Sequence, residues 1–507
     1  MPRVWPRLAF DQAFYALLAA FFFLLPLQTR YVFRAAQLYE YGTLSVFLAE
    51  ILGWVVIAMG AIKIKNEKLK MKNIWFLGLP LLAFFSIAWA PDKLVALQAA
   101  MRLLEGVLLY IVISTVAPTF QSGRSGEIST ATPAKGKRFL ASLGMTEWWV
   151  YAFLIGAALE AILGIHQFLT QSTFASTLLG LALHDPAVLG TSVVEFADER
   201  WLRAYGGLPH PNVLGGYLVV ALGLLSYLVI RLLEEGKERS IKVLLLKITV
   251  PILITGIFFS FSRAAWAATI VLLSYWVIKV LGKPSPQSSP IKGEEAKRSP
   301  SPCVGEGGGE GQEVAHDRFY IFLIIFYVLL LTLTFRPLVA TRFHGDSRLE
   351  VKSRAERVEG VREAWQLARA HPVAGVGIGN YTQALARDVR PGQPLWSYQP
   401  AHNVFLLVLA ELGVVGLLLF VAALYTIVRQ SKFYILHFTP ANEAQNGQAP
   451  LGHFRRVPLE QALLTFLILL MFDHYLWTLP FGILLFWGFL GLSTALAQPG
   501  LDKKTAL

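Results

Sequence analysis

Apolar residues in this chain gather into long blocks separated by short polar joints. The blocks lie near 9–27, 43–62, 74–90, 94–117, 147–169, 209–232, 241–261, 263–281, 318–340, 403–428, 458–476 and 480–498. A bilayer core takes about 20 apolar residues per helix, so the pattern predicts about twelve membrane-spanning helices. The block at 74–90 is short, and the pairs meeting at Ser262 and at Pro480 leave room only for tight turns. The first block follows Arg3 and Arg7 in the manner of a signal peptide. No small-x-small cleavage site follows Leu27, so the block reads as the first spanning helix. One stretch breaks the blocky pattern. From Glu350 to Ala370, Val351, Ala355, Val358, Val361, Trp365 and Ala368 recur at three- and four-residue steps, which predicts an amphipathic helix. Arg354, Arg357, Arg362 and Arg369 lie off that stripe, and Pro372 ends it. Two readings stay open: the arginines face an anionic substrate, or they meet headgroups and the neighbouring Glu356, Glu359 and Glu363.

Composition agrees with a lipid environment. Hydrophobic residues make up 55% of the 507 and charged residues only 15%, against about 45–50% and about 25% in soluble domains; mean hydropathy is +0.53. A net charge of +12 would suit nucleic acid, but its distribution argues otherwise. With the N-terminus inside, roughly 27 basic residues fall in inner segments and about 6 in short outer ones. The basic loops then face the anionic cytoplasmic leaflet, and no nucleic-acid partner is needed. Both termini come out cytoplasmic.

The chain divides into N-terminal membrane helices (1–170), central ones (171–341), an outward loop (342–402) and C-terminal helices (403–507). Residues 282–317, rich in Pro and Gly, and 118–146, rich in Ser, Thr and Gly, are expected to be disordered inner loops. Cys303 is the only cysteine, so no internal disulfide or thiolate metal site is available. No internal repeat is apparent, which weakens a transporter built on inverted repeats.

Candidate chemistry collects on the outer face. His402-Asn403 closes the long outward loop at the mouth of an apolar helix carrying Gly413 and Gly416. His402 is either a reactive group or an interfacial histidine, with Asn403 as helix cap. The two glycines, three apart, fit close helix packing. Arg263 sits in a very short joint between two blocks, where a charge so near hydrocarbon usually has a partner or a task. Arg203 to Asn212, with His210, forms either a site or a capped helix entry. Gly375-Val376-Gly377-Ile378-Gly379-Asn380 lacks a preceding strand and reads as a tight turn, not a phosphate loop. Glu105, Glu160, Glu411, Arg102 and the pair Asp473-His474 are ionisable residues in or near apolar blocks, whose pairing the sequence leaves open.

The order Arg203–Asn212, Ser262-Arg263, Trp365, His371-Pro372, Gly375-x-Gly-x-Gly-Asn380 and His402-Asn403-x9-Gly413-x-x-Gly416 resembles the O-antigen ligase and polymerase family of membrane glycosyltransferases. The resemblance spans mainly residues 200–420. It implies an all-α polytopic membrane protein of about 12 transmembrane helices, GT-C-like, with one large extracytoplasmic loop containing amphipathic helices. It further implies an undecaprenyl-diphosphate-linked glycan as donor and lipid A core, a glycan or a protein as acceptor, on the outer face of a bacterial inner membrane. On that resemblance Arg263 and Arg203, then Arg342 and Arg357, would bind the diphosphate, because guanidinium forks hold phosphate bidentately. His402 would be the general base, with Asn403, His210, Asn212, Gly413 and Gly416 in support. No Asp-x-Asp occurs in the outer segments, so neither metal nor cofactor is expected. The ligase reading has two rivals: a repeat-unit polymerase, and a transporter of anionic lipid-linked glycans. A non-catalytic scaffold explains the helices but not His402 with Arg263.

Overall fold

The computed structural model describes residues 4–36, 40–67, 74–116, 148–234, 241–281, 309–344, 347–430 and 457–497. Helices dominate: α1 Val4–Leu24, α2 Leu48–Glu67, α3 Gly78–Ser86, α4 Lys93–Val116, α5 Trp148–Thr170, α6 Pro211–Glu234 and α7 Ile241–Phe259. They continue as α8 Arg263–Leu281, α9 Gly309–Thr334, α10 Arg336–His344, α11 Arg348–Ala370, α12 Val404–Gln430, α13 Val457–Phe472 and α14 Pro480–Ala497.

By length and apolarity, Lys93–Val116, Trp148–Thr170, Pro211–Val229 and Val404–Arg429 each suffice to cross a bilayer. A fifth crossing results if Phe319–Thr334 and Arg336–Ala370, bent by 82°, count as one span. Among the described residues that is fewer than the twelve expected, since other blocks yield shorter apolar helices such as Val243–Phe259 and Pro480–Ala495.

Four blocks differ locally from expectation. Block 43–62 begins as strand β2 (Leu44–Phe47), paired antiparallel with β1 (Arg30–Arg34). Block 74–90 gives only a 3₁₀ turn and α3. Block 318–340 turns at Phe335 from α9 into α10, and block 458–476 ends its helix at Phe472. Of the inner loop expected at 282–317, residues 309–317 are the first turns of α9. Its remainder and 118–146 lie outside the described residues. A second hairpin, β3 Val193–Phe196 and β4 Glu199–Leu202, was also absent from the periodicity. Its two central residues, Ala197 and Asp198, both have positive φ (50° and 66°), the backbone demanded by a two-residue turn between twisted strands.

The core forms where large and small residues interlock. α14 packs along α4, α5 along α1 and α7 along α6. A Cβ on Gly106 of α4 would come within 2.5 Å of the Trp487 ring on α14, so glycine there admits the indole.

α12 is not continuous. Gly413 adopts φ 67° and ψ −170°, and the break frees backbone groups that a neighbouring strap takes up. Val376 N donates to Ala410 O (2.9 Å), Gly377 N to Glu411 O (2.9 Å) and Val414 N to Pro372 O (2.9 Å). A Cβ on Gly413 would lie 2.1 Å from Val373 O, and one on Gly416 2.2 Å from Leu412 Cβ. These glycines therefore accommodate the strap and the folded-back Leu412, in place of the helix–helix packing expected of them. The Gly-rich stretch 375–379 is the strap itself and fits the tight-turn reading. Beyond it, Asn380 Oδ1 accepts from Asp92 N (2.7 Å), riveting the strap to the start of α4.

The amphipathic helix exists as α11, capped by Ser347, whose side chain accepts from Glu350 N (3.4 Å). Most of its apolar stripe faces away from the protein core. Val351, Val358, Val361 and Trp365 are exposed, whereas Glu350, Gly360, Glu363, Ala364 and Leu367 are buried. Small residues let α11 lie against α12, and that contact turns Glu350 and Arg357 inward.

Candidate active site

The tight joint between α7 and α8 organises the site. Phe261 takes a left-handed backbone (φ 47°), costly for a non-glycine residue, and reverses the chain within Ser260–Ser262. Ser262 Oγ caps α8 by accepting from Ala265 N (3.3 Å). The reversal presents two carbonyls to two arginines: Arg203 Nε donates to Ser260 O (2.8 Å) and Arg342 Nη2 to Phe261 O (2.8 Å). Arg263 pairs through Nη1 with Glu350 Oε2 (3.1 Å), and Arg342 pairs with the other Glu350 oxygen. Arg357 reaches the same cluster from α11, close enough to feel Arg263, Asp473 and Glu350.

Four guanidiniums thus face two carboxylates, Glu350 and Asp473, a surplus of two positive charges. Burial and mutual repulsion lower the pKa of Arg203, Arg342 and Arg357. Arginine stays ionised regardless, so these cations are held close together at an energetic cost that an incoming anion would relieve.

The cluster continues to His402. Arg203 Nη2 donates to Asn212 Oδ1 (2.7 Å), and Asn212 Nδ2 donates to Asp473 Oδ2 (3.1 Å). Asp473 Oδ1 lies 3.7 Å from His402 Nδ1 and accepts from His474 N (2.8 Å). Burial alone would raise the Asp473 carboxyl, but His402 and His474 hold it below the ordinary carboxylate range. His402 is about one-third exposed (32%), so its ring is reachable from outside. Asn403 caps α12, accepting from Leu406 N (3.0 Å) and donating to Met471 O (3.2 Å).

Two further histidines are neutral near pH 7. Burial and the Arg203 charge push His210 down to about 3, and burial with His402 pushes His474 down to about 4. His210 Nδ1 accepts from Asn212 N (3.1 Å), which leaves Nε2–H to donate to Ser192 Oγ (2.9 Å). His474 Nδ1 meets Thr478 Oγ1 (2.8 Å).

Of the residues singled out from sequence, Arg203, Arg263, Arg342, Arg357, His210, Asn212, His402 and Asn403 converge. Gly413 and Gly416 stay in the α12 break. Arg362 pairs with Glu359 (3.5 Å) and Arg369 lies over Trp365 (5.3 Å), outside the cluster. The structure adds two residues that had no role: Glu350, the pivot of two arginines, and Asp473, the link to His402. Asp473 left a trace, as one of two polar residues interrupting an apolar block. Ligand atoms of His402, Asp473 and His474 also lie within 4.8 Å of one another, so this trio could hold a metal ion.

Residues 248–421 match the O-antigen ligase family. The match covers 174 of the 507 residues and supports membership of that family. No curated protein matches it. The match supports a membrane enzyme with glycosyl-transfer function of the O-antigen ligase or polymerase kind. The matched stretch runs from α7 into α12. It holds Arg263, Arg342, Glu350, Arg357 and His402, while Arg203, His210, Asn212 and Asp473 lie outside it and join them only through folding.

Proposed function

We propose that this protein transfers an oligosaccharide from undecaprenyl diphosphate to an acceptor hydroxyl at the periplasmic face of a bacterial inner membrane, with inversion at the anomeric carbon. Both termini are then cytoplasmic. The basic residues of the inner segments support this sidedness.

The supporting observation is the continuous line Arg203–Asn212–Asp473–His402. A cationic cluster thus lies beside a histidine that has a carboxylate 3.7 Å from its Nδ1. Arg263 and Arg203, with Arg342 and Arg357, receive the donor diphosphate, whose charge grows as the sugar–oxygen bond breaks. His402 takes the acceptor proton on Nε2 while Nδ1 faces Asp473. The ionised carboxylate fixes the ring's tautomer and stabilises the imidazolium as it forms. The acceptor oxygen bonds to the anomeric carbon, undecaprenyl diphosphate leaves with the bonding pair, and the proton rests on His402. Positioned proton transfer of this kind contributes about 10²–10⁴-fold.

The arginines take the place of a metal at the diphosphate. Asp473 is already engaged by Asn212 and His474 N, and His474 Nδ1 by Thr478, which favours a hydrogen-bonded relay over a metal centre. Activity abolished by EDTA and restored by a divalent cation would sink the metal-free mechanism.

A repeat-unit polymerase uses the same chemistry with a second lipid-linked glycan as acceptor. Purified protein in nanodiscs with undecaprenyl-diphosphate oligosaccharide separates the readings by mass spectrometry. One acceptor-dependent addition, lost in His402→Ala and Arg263→Ala, is expected for a ligase. Donor-only laddering would mean a polymerase. Lipid-linked glycan crossing the bilayer without turnover would mean a transporter.

A further inference from the structure

A chamber of about 430 Å³ lies apart from the arginine cluster. Its volume falls within the roughly 300–1,000 Å³ of small-molecule sites. Hairpin β1–β2, α4, residues 206–209 and the turn 477–480 surround it, and none of Arg203, Arg263, Arg342, Arg357 or His402 lines it.

The wall differs in kind from the diphosphate site. Tyr41, Phe47 and Trp477 contribute aromatic surface, and Gln98 and Thr382 contribute hydrogen-bonding groups. Its two guanidiniums are each matched: Arg30 pairs with Glu40, and Arg102 with Glu50 (2.7 Å). With the Glu411 carboxyl also in the wall, the chamber has no surplus positive charge to recruit a phosphate. Flat apolar faces beside fixed polar groups instead suit a neutral polyhydroxylated ring, whose C–H face lies on an aromatic while its hydroxyls find partners.

The chamber abuts the proposed base. Thr478 lines it while holding His474 Nδ1, the Tyr41 ring lies 6.0 Å from the His474 ring, and His474 lies 5.0 Å from His402. His474 therefore stands next to both the chamber wall and the base.

We propose that this chamber seats the neutral saccharide of the acceptor and presents one of its hydroxyls towards His402. The assignment rests on the glycosyl-transfer reading. It gives the two substrates separate sites near His402, the cationic cluster for the donor diphosphate and the aromatic chamber for the acceptor sugar.

Tyr41→Ala and the conservative Tyr41→Phe test it in nanodiscs, with thermal melting to verify folding. Two readouts are needed: KM for acceptor and for donor, and saturation-transfer NMR with methyl glycosides of neutral hexoses and N-acetylhexosamines. Wild type and Arg263→Ala should bind a glycoside. Tyr41→Ala should weaken that binding and raise acceptor KM about tenfold with donor KM unchanged, and Tyr41→Phe should keep most of both. A rise in donor KM alone would move the chamber to the donor glycan and overturn the assignment. Glycoside binding and both KM values unchanged in Tyr41→Ala would overturn the chamber while transfer stands. Glycoside binding lost in Tyr41→Ala, in a protein that transfers nothing from any donor, would keep a saccharide chamber and remove the transferase reading instead.

Discussion

Asn212 and Asp473, 261 positions apart in sequence, are joined by a 3.1 Å hydrogen bond from the amide of one to the carboxylate of the other. The opposite end of the same amide accepts from Arg203. Asn212 is thus a two-ended connector that orients the Arg203 guanidinium and the Asp473 carboxylate beside His402. Asn212→Leu keeps approximate bulk and removes both bonds. A hydrogen bond to a charged group is worth about 1.5–3 kcal/mol, so turnover should fall about 10- to 100-fold. Asn212→Asp should be worse, since it sets a second carboxylate against Asp473. Steady-state kinetics on both variants check this, and unchanged turnover in Asn212→Leu would disconnect the two halves of the site.

Glu350 supports a second prediction. It is buried between Arg263 and Arg342, and removing one partner of such a cluster costs about 3–5 kcal/mol because charge is left uncompensated. Glu350→Gln should therefore lower the melting temperature by several degrees. Inorganic pyrophosphate should recover part of that loss, because an anion that binds only the folded state stabilises it. A variant that melts like wild type, or a wild type indifferent to pyrophosphate, would argue against an anion site here.

The two halves of the site were unequally legible in the sequence. Charged or ring-bearing residues beside apolar blocks stood out: Arg203, His210, Arg263, Arg342 and His402 all sit at block ends, where an ionisable group is conspicuous. Glu350 was invisible because one glutamate among several on an amphipathic helix carries no mark of which way the helix turns. The stripe of Val351, Val358 and Trp365 marked an amphipathic helix without saying whether its apolar side meets protein or lipid. Hydrophobic periodicity identifies a core-facing side when water is the solvent, but beside a membrane an apolar stripe can face lipid. The break at Gly413 was hidden for a related reason: two glycines three apart fit a packed helix as well as an interrupted one, and only the strap from Pro372 to Gly377 decides between them.

The neutral histidines give the folded state an acid-sensitive component. His210 and His474 have folded values near 3 and 4, below the ordinary 6.5. Between those limits the unfolded chain binds more protons than the folded one, so stability is full above about 6.5 and falls as pH drops towards 4. Melting temperatures from pH 7 to pH 4 should decline, and His210→Gln should flatten the decline. An equal slope in wild type and variant would mean His210 is not held neutral.

Sidedness can be tested with the chain's only cysteine. Cys303 belongs to the inner segment expected at 282–317, whereas Gln399 is an exposed residue four positions before Asn403. In intact cells made permeable only at the outer membrane, an impermeant maleimide should leave the native protein unlabelled. Cys303→Ser combined with Gln399→Cys should label fully, because His402 must meet a donor presented on the periplasmic face. Labelling of Cys303 without lysis would invert the topology. It would place the arginine cluster on the cytoplasmic side, where a flipped lipid-linked glycan could no longer reach it, and the transfer mechanism would fall with the sidedness.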